Sequence, residues 1–299
     1  MKLASILVTG VSGPIGAALV PALKASGATL VRLVRGRATG GEQIRWDPSQ
    51  PLSPETVSGF DAVIHLAGES IVGRWTADKK ARIRDSRVIG TRNLAEALAK
   101  ASKPPQVFVS GSAIGFYGNR GDEVLREESK SGNDFLAAVC REWEASAQPA
   151  AAVGIRTVSI RIGVVLSASG GALPKMLTPF RMGLGGKIGS GDQWWSWIAI
   201  DDIVGAIQHI LGTETLKGPV NLASPSPVTN SEFTRTLGRT LHRPTLFPMP
   251  AFAARLAFGE MADELLLSSQ KVEPAKLISS SYVFRHTSLQ KALEDILNK

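Results

Sequence analysis

The sequence is poor in cysteine and has no long apolar run. Its single cysteine, Cys140, excludes an internal disulfide and a metal site built from clustered cysteines, and it is compatible with a reducing compartment. No apolar stretch approaches the roughly 18 residues that would indicate a membrane span, and the N-terminal residues lead directly into a strand-like pattern. We therefore expect a cytoplasmic protein that does not enter a membrane.

The composition is that of a globular protein with a basic balance. The 299 residues are 43% hydrophobic and 20% charged, which is enough to bury a large core in one domain or two unequal lobes. The net charge of +8 favours anionic partners. Because the basic residues are scattered, we expect phosphorylated small molecules rather than nucleic acid. The composition leaves the oligomeric state open.

Strand-like and helix-like patterns alternate through the first half of the chain. The predicted strands are 6–9, 29–34, 62–66, 107–110 and 157–162, and the predicted helices lie near 14–26, 77–101 and 132–152. This alternation is typical of an α/β fold, with a parallel sheet covered by helices on both faces. We predict a doubly wound sheet of the Rossmann type.

The pattern changes after Arg161. Seven glycines lie within residues 167–193, and residues 194–200 form a plausible strand. From Ser231 onward the pattern is mainly helical, with a helical tail at about 247–295. We predict a Rossmann domain at 1–166, to which about 198–224 returns. A smaller, mostly helical substrate-side lobe occupies 167–299.

A glycine-rich turn follows the first strand directly and opens the first helix. In this context Gly10 permits a tight turn, Gly13 lets the backbone approach a pyrophosphate, and Gly16 lets the helix pack closely on the sheet. Free amides at the helix N-terminus bind phosphates. The predicted cofactor residues of this turn are Thr9, Gly10, Gly13, Pro14, Ile15 and Gly16.

The end of the second strand lacks the acidic residue that holds the ribose hydroxyls of NAD. Val34 is followed by Arg35 and, two residues later, Arg37, whereas the first acidic residue of the chain is Glu42. An arginine at this place pairs with a 2′-phosphate through charge-assisted hydrogen bonds. We predict NADP(H) as the cofactor, bound in part by Val34 and Arg35; the alternative is that the arginines are solvated loop residues.

The predicted cofactor site continues at the end of the strand at 62–66. Leu66 ends this strand, the small residues Ala67 and Gly68 follow it, and Glu69 comes next. All four are predicted cofactor residues. We interpret His65 as a core histidine. On the next helix Arg87 and Arg92 are candidates for the pyrophosphate, with surface arginines as the alternative.

Three motifs make the chain resemble the extended short-chain dehydrogenase/reductase superfamily, which includes nucleotide-sugar epimerases. They are Thr9-Gly10-x-x-Gly13-x-x-Gly16, His65-Leu66-Ala67-Gly68, and residues 110–118. Residues 66–69, 180–186 and 196–202, with the tail near 247–295, are similar to one subgroup. Its members are called epimerase family proteins or cell-division-inhibitor-like proteins and carry a C-terminal domain of unknown function.

The resemblance implies a catalytic serine and a Tyr-x-x-x-Lys pair. Ser112 matches the serine, but the pair is missing. When Glu144 is aligned with the superfamily's common glutamate, Leu136 and Cys140 stand where tyrosine and lysine are expected. Tyr117 is the candidate substitute for the proton donor; the alternative is that it only packs the wall of the cleft.

Two further features lie after the break in the pattern. The segment of three tryptophans at 194–197 is interpreted as a lid or stacking surface, or as core, and core is preferred for Trp197. Asp201 and Asp202 are expected to cap the helix that follows them.

Two functions remain open on the sequence. One is an NADP(H)-dependent oxidoreductase or epimerase acting on a small or nucleotide-linked substrate. The other is a regulatory or partner-binding protein that holds NADP(H) without turnover. The missing tyrosine–lysine pair favours this second function, whereas the retained Ser112, the glycine-rich turn and the aromatic cleft favour the first. A nucleic-acid-binding role rests on net charge alone and ranks third.

Overall fold

The computed structural model describes residues 4–298. Its strands are β1 (Ser5–Thr9), β2 (Thr29–Val34), β3 (Gln43–Arg45), β4 (Ala62–His65), β5 (Val107–Ala113), β6 (Val124–Leu125), β7 (Arg156–Ile162), β8 (Val164–Leu166), β9 (Trp194–Trp195), β10 (Trp197–Ala199), β11 (Gly218–Leu222), β12 (Val228–Thr229) and β13 (Lys271–Val272).

Eleven α-helices lie within the described residues. They are α1 (Pro14–Ala25), α2 (Pro54–Val57), α3 (Ala77–Lys100), α4 (Phe135–Ser146), α5 (Gln148–Ala152), α6 (Leu173–Arg181), α7 (Ile200–Gly212), α8 (Asn230–Thr240), α9 (Ala251–Phe258), α10 (Ala275–Ser279) and α11 (Leu289–Leu297). A 3₁₀ turn spans Ile114–Tyr117 and a π turn spans Ala262–Leu266. No helix in this part of the chain is both long and apolar enough to cross a bilayer.

Seven parallel strands form the central sheet, in the order β11-β7-β5-β4-β1-β2-β3. The chain moves outward from β1 to β2 and β3, then returns to the other side of β1 with β4. The strand order therefore reverses between β1 and β4, and a crevice opens there at the carboxyl ends of the strands. This is the predicted doubly wound fold.

The strands form because their residues are apolar on both sides and are covered on both faces. On one face α1 and α7 pack over a core that includes Ile6, Leu19 and Ile203. On the other face α3 and α5 cover a second core, which includes Leu7 and Leu94.

The register of the sheet aligns the polar residues at its carboxyl edge. His65 on β4 lies opposite both Thr9 on β1 and Ser110 on β5. Two positions further along β5, Ser112 lies opposite Arg161 on β7, and Arg161 lies opposite Asn221 on β11. This edge is where the functional side chains meet.

The second half differs from the sequence prediction in its details. The helix expected at 132–152 is two helices, α4 and α5, because the chain bends at Ala147 just before Pro149. The strand expected at 194–200 is two short strands in separate sheets, and Ile200 already belongs to α7. The tail also packs against the large sheet, since Leu277 of α10 joins the core beneath β11.

Candidate cofactor site and substrate cleft

The turn between β1 and α1 is too crowded for any side chain at two of its glycines. Gly10 has φ +72°, and a Cβ there would lie 2.5 Å from the carbonyl carbon of Leu66. A Cβ on Gly16 would collide with the carbonyl oxygen of Gly10. The backbone of β1, the end of β4 and the first turn of α1 therefore approach one another as a phosphate-binding turn requires.

The N-terminus of α1 keeps its amides free of side-chain caps. Gly13 is the N-cap residue and Pro14 the first helical residue, and no side chain bonds to the amides of this turn. A Cβ on Gly13 would meet only the Gly10 carbonyl oxygen, at 3.4 Å, so its outer side is open. Uncapped amides beside an open glycine form an anion-binding end.

Thr9 supports this turn from below instead of lining the cleft. Its side chain is buried, and its hydroxyl oxygen lies 2.7 Å from Nδ1 of His65. The same oxygen accepts the amides of Leu66 and Ala67, at 3.2 and 3.3 Å. Thr9 thus fixes the two residues predicted to lie against the cofactor.

His65 is a buried core residue, as interpreted from the sequence, but only one of its ring nitrogens has a partner. Nε2 makes no hydrogen bond within the described residues, and the ring stands edge-on to Trp46 at 5.7 Å between centroids. Burial lowers the pKa of His65 to about 4. The ring is therefore neutral at pH 7.

The end of β2 presents an exposed arginine that has no carboxylate within 4 Å among the described residues, although Glu69 acts on it from further away. Arg35 makes no hydrogen bond and no ion pair within 4 Å in residues 4–298. The first acidic residue, Glu42, is held by Lys24 at 2.7 Å and Arg32 at 3.4 Å. The pKa of Glu42 is lowered by the bond to Lys24. Glu42 is thus already paired, which leaves the Arg35 guanidinium available for an anion.

Glu69 anchors the loop that follows β4. Its carboxylate accepts Lys79 Nζ at 2.7 Å, and this bond lowers the pKa of Glu69. Its backbone amide donates to Ser86 Oγ at 3.0 Å. The loop is tied to α3 at two points, and the predicted contact between Glu69 and the cofactor stays a prediction.

The two candidate arginines on α3 lie in different environments. Arg87 is half-buried beside Gly68, whereas Arg92 is exposed five residues further along the helix. Five residues turn a helix by roughly 140°, so the two side chains point in different directions. The geometry favours a cleft position for Arg87 and the surface alternative for Arg92.

Ser112, the predicted catalytic serine, belongs to a buried polar network. Its hydroxyl donates to Glu144 Oε1 at 2.7 Å, and Glu144 binds Arg161 through both carboxylate oxygens, at 2.8 and 2.9 Å. Arg161 also stacks on the ring of Phe116, with 3.4 Å between Cζ and the ring centroid. The proton of Ser112 is thus directed at Glu144, away from any ligand.

Tyr117 belongs to the same network and is fully buried. Its hydroxyl donates to Asn221 Oδ1 at 2.6 Å and accepts from Arg161 at 3.0 Å. Burial raises the pKa of Tyr117 to about 12. These contacts favour the packing alternative over proton donation, because the proton is already committed inside the protein.

The positions aligned with the superfamily's tyrosine and lysine are apolar and closed. Leu136 packs in a cluster with Trp75, Ile83 and Met261. Cys140 is buried, and burial raises the pKa of its thiol to about 12, so it is a packed residue and not a nucleophile. No cluster of potential metal ligands lies within residues 4–298.

Glu264, which comes from the C-terminal tail, was not predicted from the sequence, because no motif surrounds it. Its carboxylate accepts the amides of Phe135 and Leu136 at 3.1 and 2.8 Å, and burial raises its pKa. A carboxylate at the N-terminus of α4 stabilises that helix. The tail therefore contacts the first turn of α4, at the position aligned with the missing tyrosine.

The tryptophan segment is mostly core. Trp197 is fully buried, as preferred from the sequence, and Trp195 packs on Phe233 with 5.2 Å between ring centroids. Only Trp194 is partly exposed, and its indole donates to Asp122 at 2.7 Å. Lys271 Nζ lies over this ring, 4.1 Å from its centroid, so one face of Trp194 is already covered within the protein.

Asp202 does not cap α7 as expected. The helix begins at Ile200 with Ala199 as its N-cap residue and no side-chain cap. The buried carboxylate of Asp202 instead accepts the backbone amides of Arg285 and His286, at 2.7 and 3.0 Å. This carboxylate therefore fastens the C-terminal tail to helix α7.

Known proteins with similar sequences and folds include epimerases and epimerase family proteins. An epimerase family protein of Mycobacterium bovis is 42% identical over 98% of this chain and 97% of its own length. The human epimerase family protein SDR39U1, whose crystal structure was solved with NADPH, superposes with a TM-score of 0.90 at 34% identity over 99% of both chains. A UDP-N-acetylglucosamine 4-epimerase from Bacillus cereus shares the fold, with a TM-score of 0.76 at 18% identity over 99% of this chain and 98% of its own.

Two family descriptions cover most of the sequence. Residues 249–296 match a domain of unknown function, DUF1731. Residues 6–223 match the NAD dependent epimerase/dehydratase family, and this match contains the glycine turn, the end of β4 and the Ser112 network. The chain therefore belongs to the NAD-dependent epimerase/dehydratase family, within the extended short-chain dehydrogenase/reductase superfamily.

Proposed function

We propose that this chain binds NADP(H) across the carboxyl edge of the sheet and uses it for hydride transfer with a small or nucleotide-linked substrate. One observation carries the proposal: the uncapped amides of the glycine turn and the exposed Arg35, which has no carboxylate within 4 Å, lie at the ends of the neighbouring strands β1 and β2. The NADPH in the human relative's structure supports the same cofactor.

The site has residues suited to the pyrophosphate, the 2′-phosphate and the ribose of the dinucleotide. The amides after Gly13 would hold the pyrophosphate, and Arg35 the 2′-phosphate. The backbone of Leu66, Ala67 and Gly68 would lie against the ribose, as small residues at a strand end permit. When bound, the nicotinamide supplies or accepts the hydride.

The substrate-side residues would orient more than they protonate. Ser112 Oγ donates its hydrogen bond to Glu144, so its lone pairs can accept a hydrogen bond from a substrate hydroxyl. Tyr117 is a weaker candidate than its position in the sequence suggested, because both sides of its hydroxyl are occupied. The proton for a reduced substrate would then come from water.

A second function is favoured by a specific observation. Leu136 and Cys140 place apolar, buried groups where the superfamily positions its proton donor and its cation. A protein that holds NADP(H) and signals through a partner needs no such groups. We keep this regulatory function as the competing proposal.

The two proposals are separated by turnover with NADP(H). Purified protein would be incubated with NADPH and a panel of carbonyl compounds, and separately with NADP⁺ and nucleotide sugars whose products are followed by NMR. Epimerisation needs the oxidised cofactor for its first step and causes no net oxidation. The hydride-transfer proposal expects oxidation or epimerisation with at least one compound. An Arg35→Glu variant should lose that activity, because NADP(H) binding would fail.

Absence of turnover across the whole panel, with NADPH binding retained, would reject the enzyme and favour the regulator. Absence of NADPH binding would reject both proposals.

A further inference from the structure

A half-buried arginine faces the cleft without an ion-pair partner. A Cβ built on Gly68 would lie 3.3 Å from Cζ of Arg87, so the guanidinium packs against the end of β4. On its other side it lies 5.1 Å from the ring of Trp143 on α4. Its hydrogen bond is to the carbonyl oxygen of Ile83, at 3.0 Å. No carboxylate in the described part of the chain lies within 4 Å of it.

The position of Arg87 assigns it to one half of the cofactor site. In a doubly wound sheet each half binds one mononucleotide, and the pyrophosphate crosses at the switch point. The glycine turn and Arg35 occupy the half formed by β1, β2 and β3. Arg87 lies beyond the switch point, between the end of β4 and helix α4, on the side where the nicotinamide would lie.

The groups that face Arg87 do not neutralise its charge. Glu69 is an acidic residue whose charge acts on Arg87, and Glu69 is itself bonded to Lys79. The Cys140 thiol is neutral, since burial raises its pKa to about 12. Glu144, on the same helix as Cys140, is paired with Arg161. A guanidinium stays charged at any physiological pH, so this part of the cleft is positive.

We infer that Arg87 sets the redox-state preference of the cofactor site. The oxidised nicotinamide ring carries a positive charge and the reduced ring carries none. A fixed cation next to the ring therefore disfavours NADP⁺ and leaves NADPH unaffected, so the site retains the reduced cofactor. This inference rests on the proposed NADP(H) function.

Loss of Arg87 changes NADPH and NADP⁺ binding differently according to which part of the cofactor it contacts. If Arg87 acted on the pyrophosphate, as an arginine on this helix otherwise would, its loss would weaken both forms of the cofactor equally. If it acts on the ring, its loss changes the ratio of the two dissociation constants, and NADP⁺ binding becomes tighter relative to NADPH.

The test is calorimetric titration of NADPH and NADP⁺ into four proteins at matched ionic strength. Arg87→Gln removes the charge and retains a donor for the Ile83 carbonyl. Arg87→Lys retains a charge. Arg92→Gln, on an exposed arginine of the same helix, is the matched control. Thermal unfolding of each variant shows that it is folded before its affinities are compared.

We expect the unmodified chain to bind NADPH about tenfold more tightly than NADP⁺. Arg87→Gln should bring that ratio to within about threefold of unity, whereas Arg87→Lys and Arg92→Gln should leave it largely unchanged. Equal weakening of both forms in Arg87→Gln, or an unchanged ratio, overturns the inference while the NADP(H) function stands. Failure of the unmodified chain to bind either form overturns the proposed function and this inference together.

Discussion

The two rims of the cleft treat their polar groups in opposite ways. One is the cofactor rim, or open rim, at the ends of β1, β2 and β4. There the amides of α1 have no side-chain cap, and Arg35 and Arg87 have no carboxylate within 4 Å. The other is the closed rim, at the ends of β5 and β7, where Ser112, Tyr117 and Arg161 bond to one another or to buried neighbours.

This difference separates a binding surface from a structural one. A polar group that is buried without a partner costs free energy, so a rim with unpaired donors is stabilised when a ligand supplies the acceptors. A rim whose donors are already paired gains less from a ligand, although Ser112 Oγ keeps lone pairs that can accept a hydrogen bond. The first rim is therefore suited to bind a dinucleotide, while the second mainly ties the ends of β5, β7 and β11 to α4.

The largest expected effect is a disruption of the cofactor rim by Gly16→Ala. The added Cβ would collide with the Gly10 carbonyl, so the turn must open. We expect NADPH affinity to fall about 100-fold or more, measured by calorimetry. The matched control is Gly212→Ala, where a Cβ meets nothing within 4 Å. Unchanged affinity in Gly16→Ala would mean that the turn does not bind the cofactor.

The next effect concerns His65, which lies beneath the cofactor rim, and the change in the free energy of unfolding at acid pH. The pKa of His65 is about 4 in the folded protein, below its ordinary value of 6.5. Between those pH values the unfolded chain binds more protons, so stability falls as the pH drops from 6.5 to 4, by about 3 kcal/mol at the lower end. His65→Asn should flatten this part of the curve of unfolding free energy against pH.

The control for that experiment is His242→Asn, an exposed histidine at φ +52°, a conformation that asparagine tolerates. A curve for His65→Asn as steep as that of the unmodified protein would show that His65 is not buried in its neutral form.

Tyr117→Phe sharpens the contrast by testing the closed rim. Removal of the hydroxyl leaves Asn221 Oδ1 without its donor and Arg161 without one acceptor. We expect a loss of about 2 kcal/mol in unfolding free energy by urea denaturation. NADPH affinity should change less than about twofold. Full stability combined with lost turnover would assign Tyr117 to catalysis, and the closed rim would then not be purely structural.

The smallest effect is expected on the open rim at Arg35. Arg35→Ala should weaken NADPH about tenfold and leave NADH unchanged, because only NADPH carries the 2′-phosphate. Arg239→Ala, an exposed arginine on α8, should alter neither affinity. Equal loss of both cofactors in Arg35→Ala would show that the arginine does not read the 2′-phosphate.

The open rim could be read from the sequence because its parts are contiguous. The strand, the glycines and the helix start lie within residues 5–16, and local backbone requirements decide which residues are glycine. The fold class was predicted for the same reason, because each strand-like or helix-like pattern is contained in one short segment of the chain.

The closed rim could not be read in this way, because its contacts join distant parts of the chain. Glu264 reaches Leu136 across 128 residues, and Tyr117 reaches Asn221 across 104. Asp202 was expected to cap its own helix and instead binds amides more than 80 residues away. No local pattern marks such partners, since each depends on how elements far apart in the sequence pack together.

The most direct test of the account is a calorimetric titration of the unmodified chain with NADPH and, separately, with NADH. The open rim predicts that NADPH binds at least about tenfold more tightly, through Arg35 and the uncapped amides of α1. Equal dissociation constants for the two cofactors, or no binding of NADPH, would contradict it.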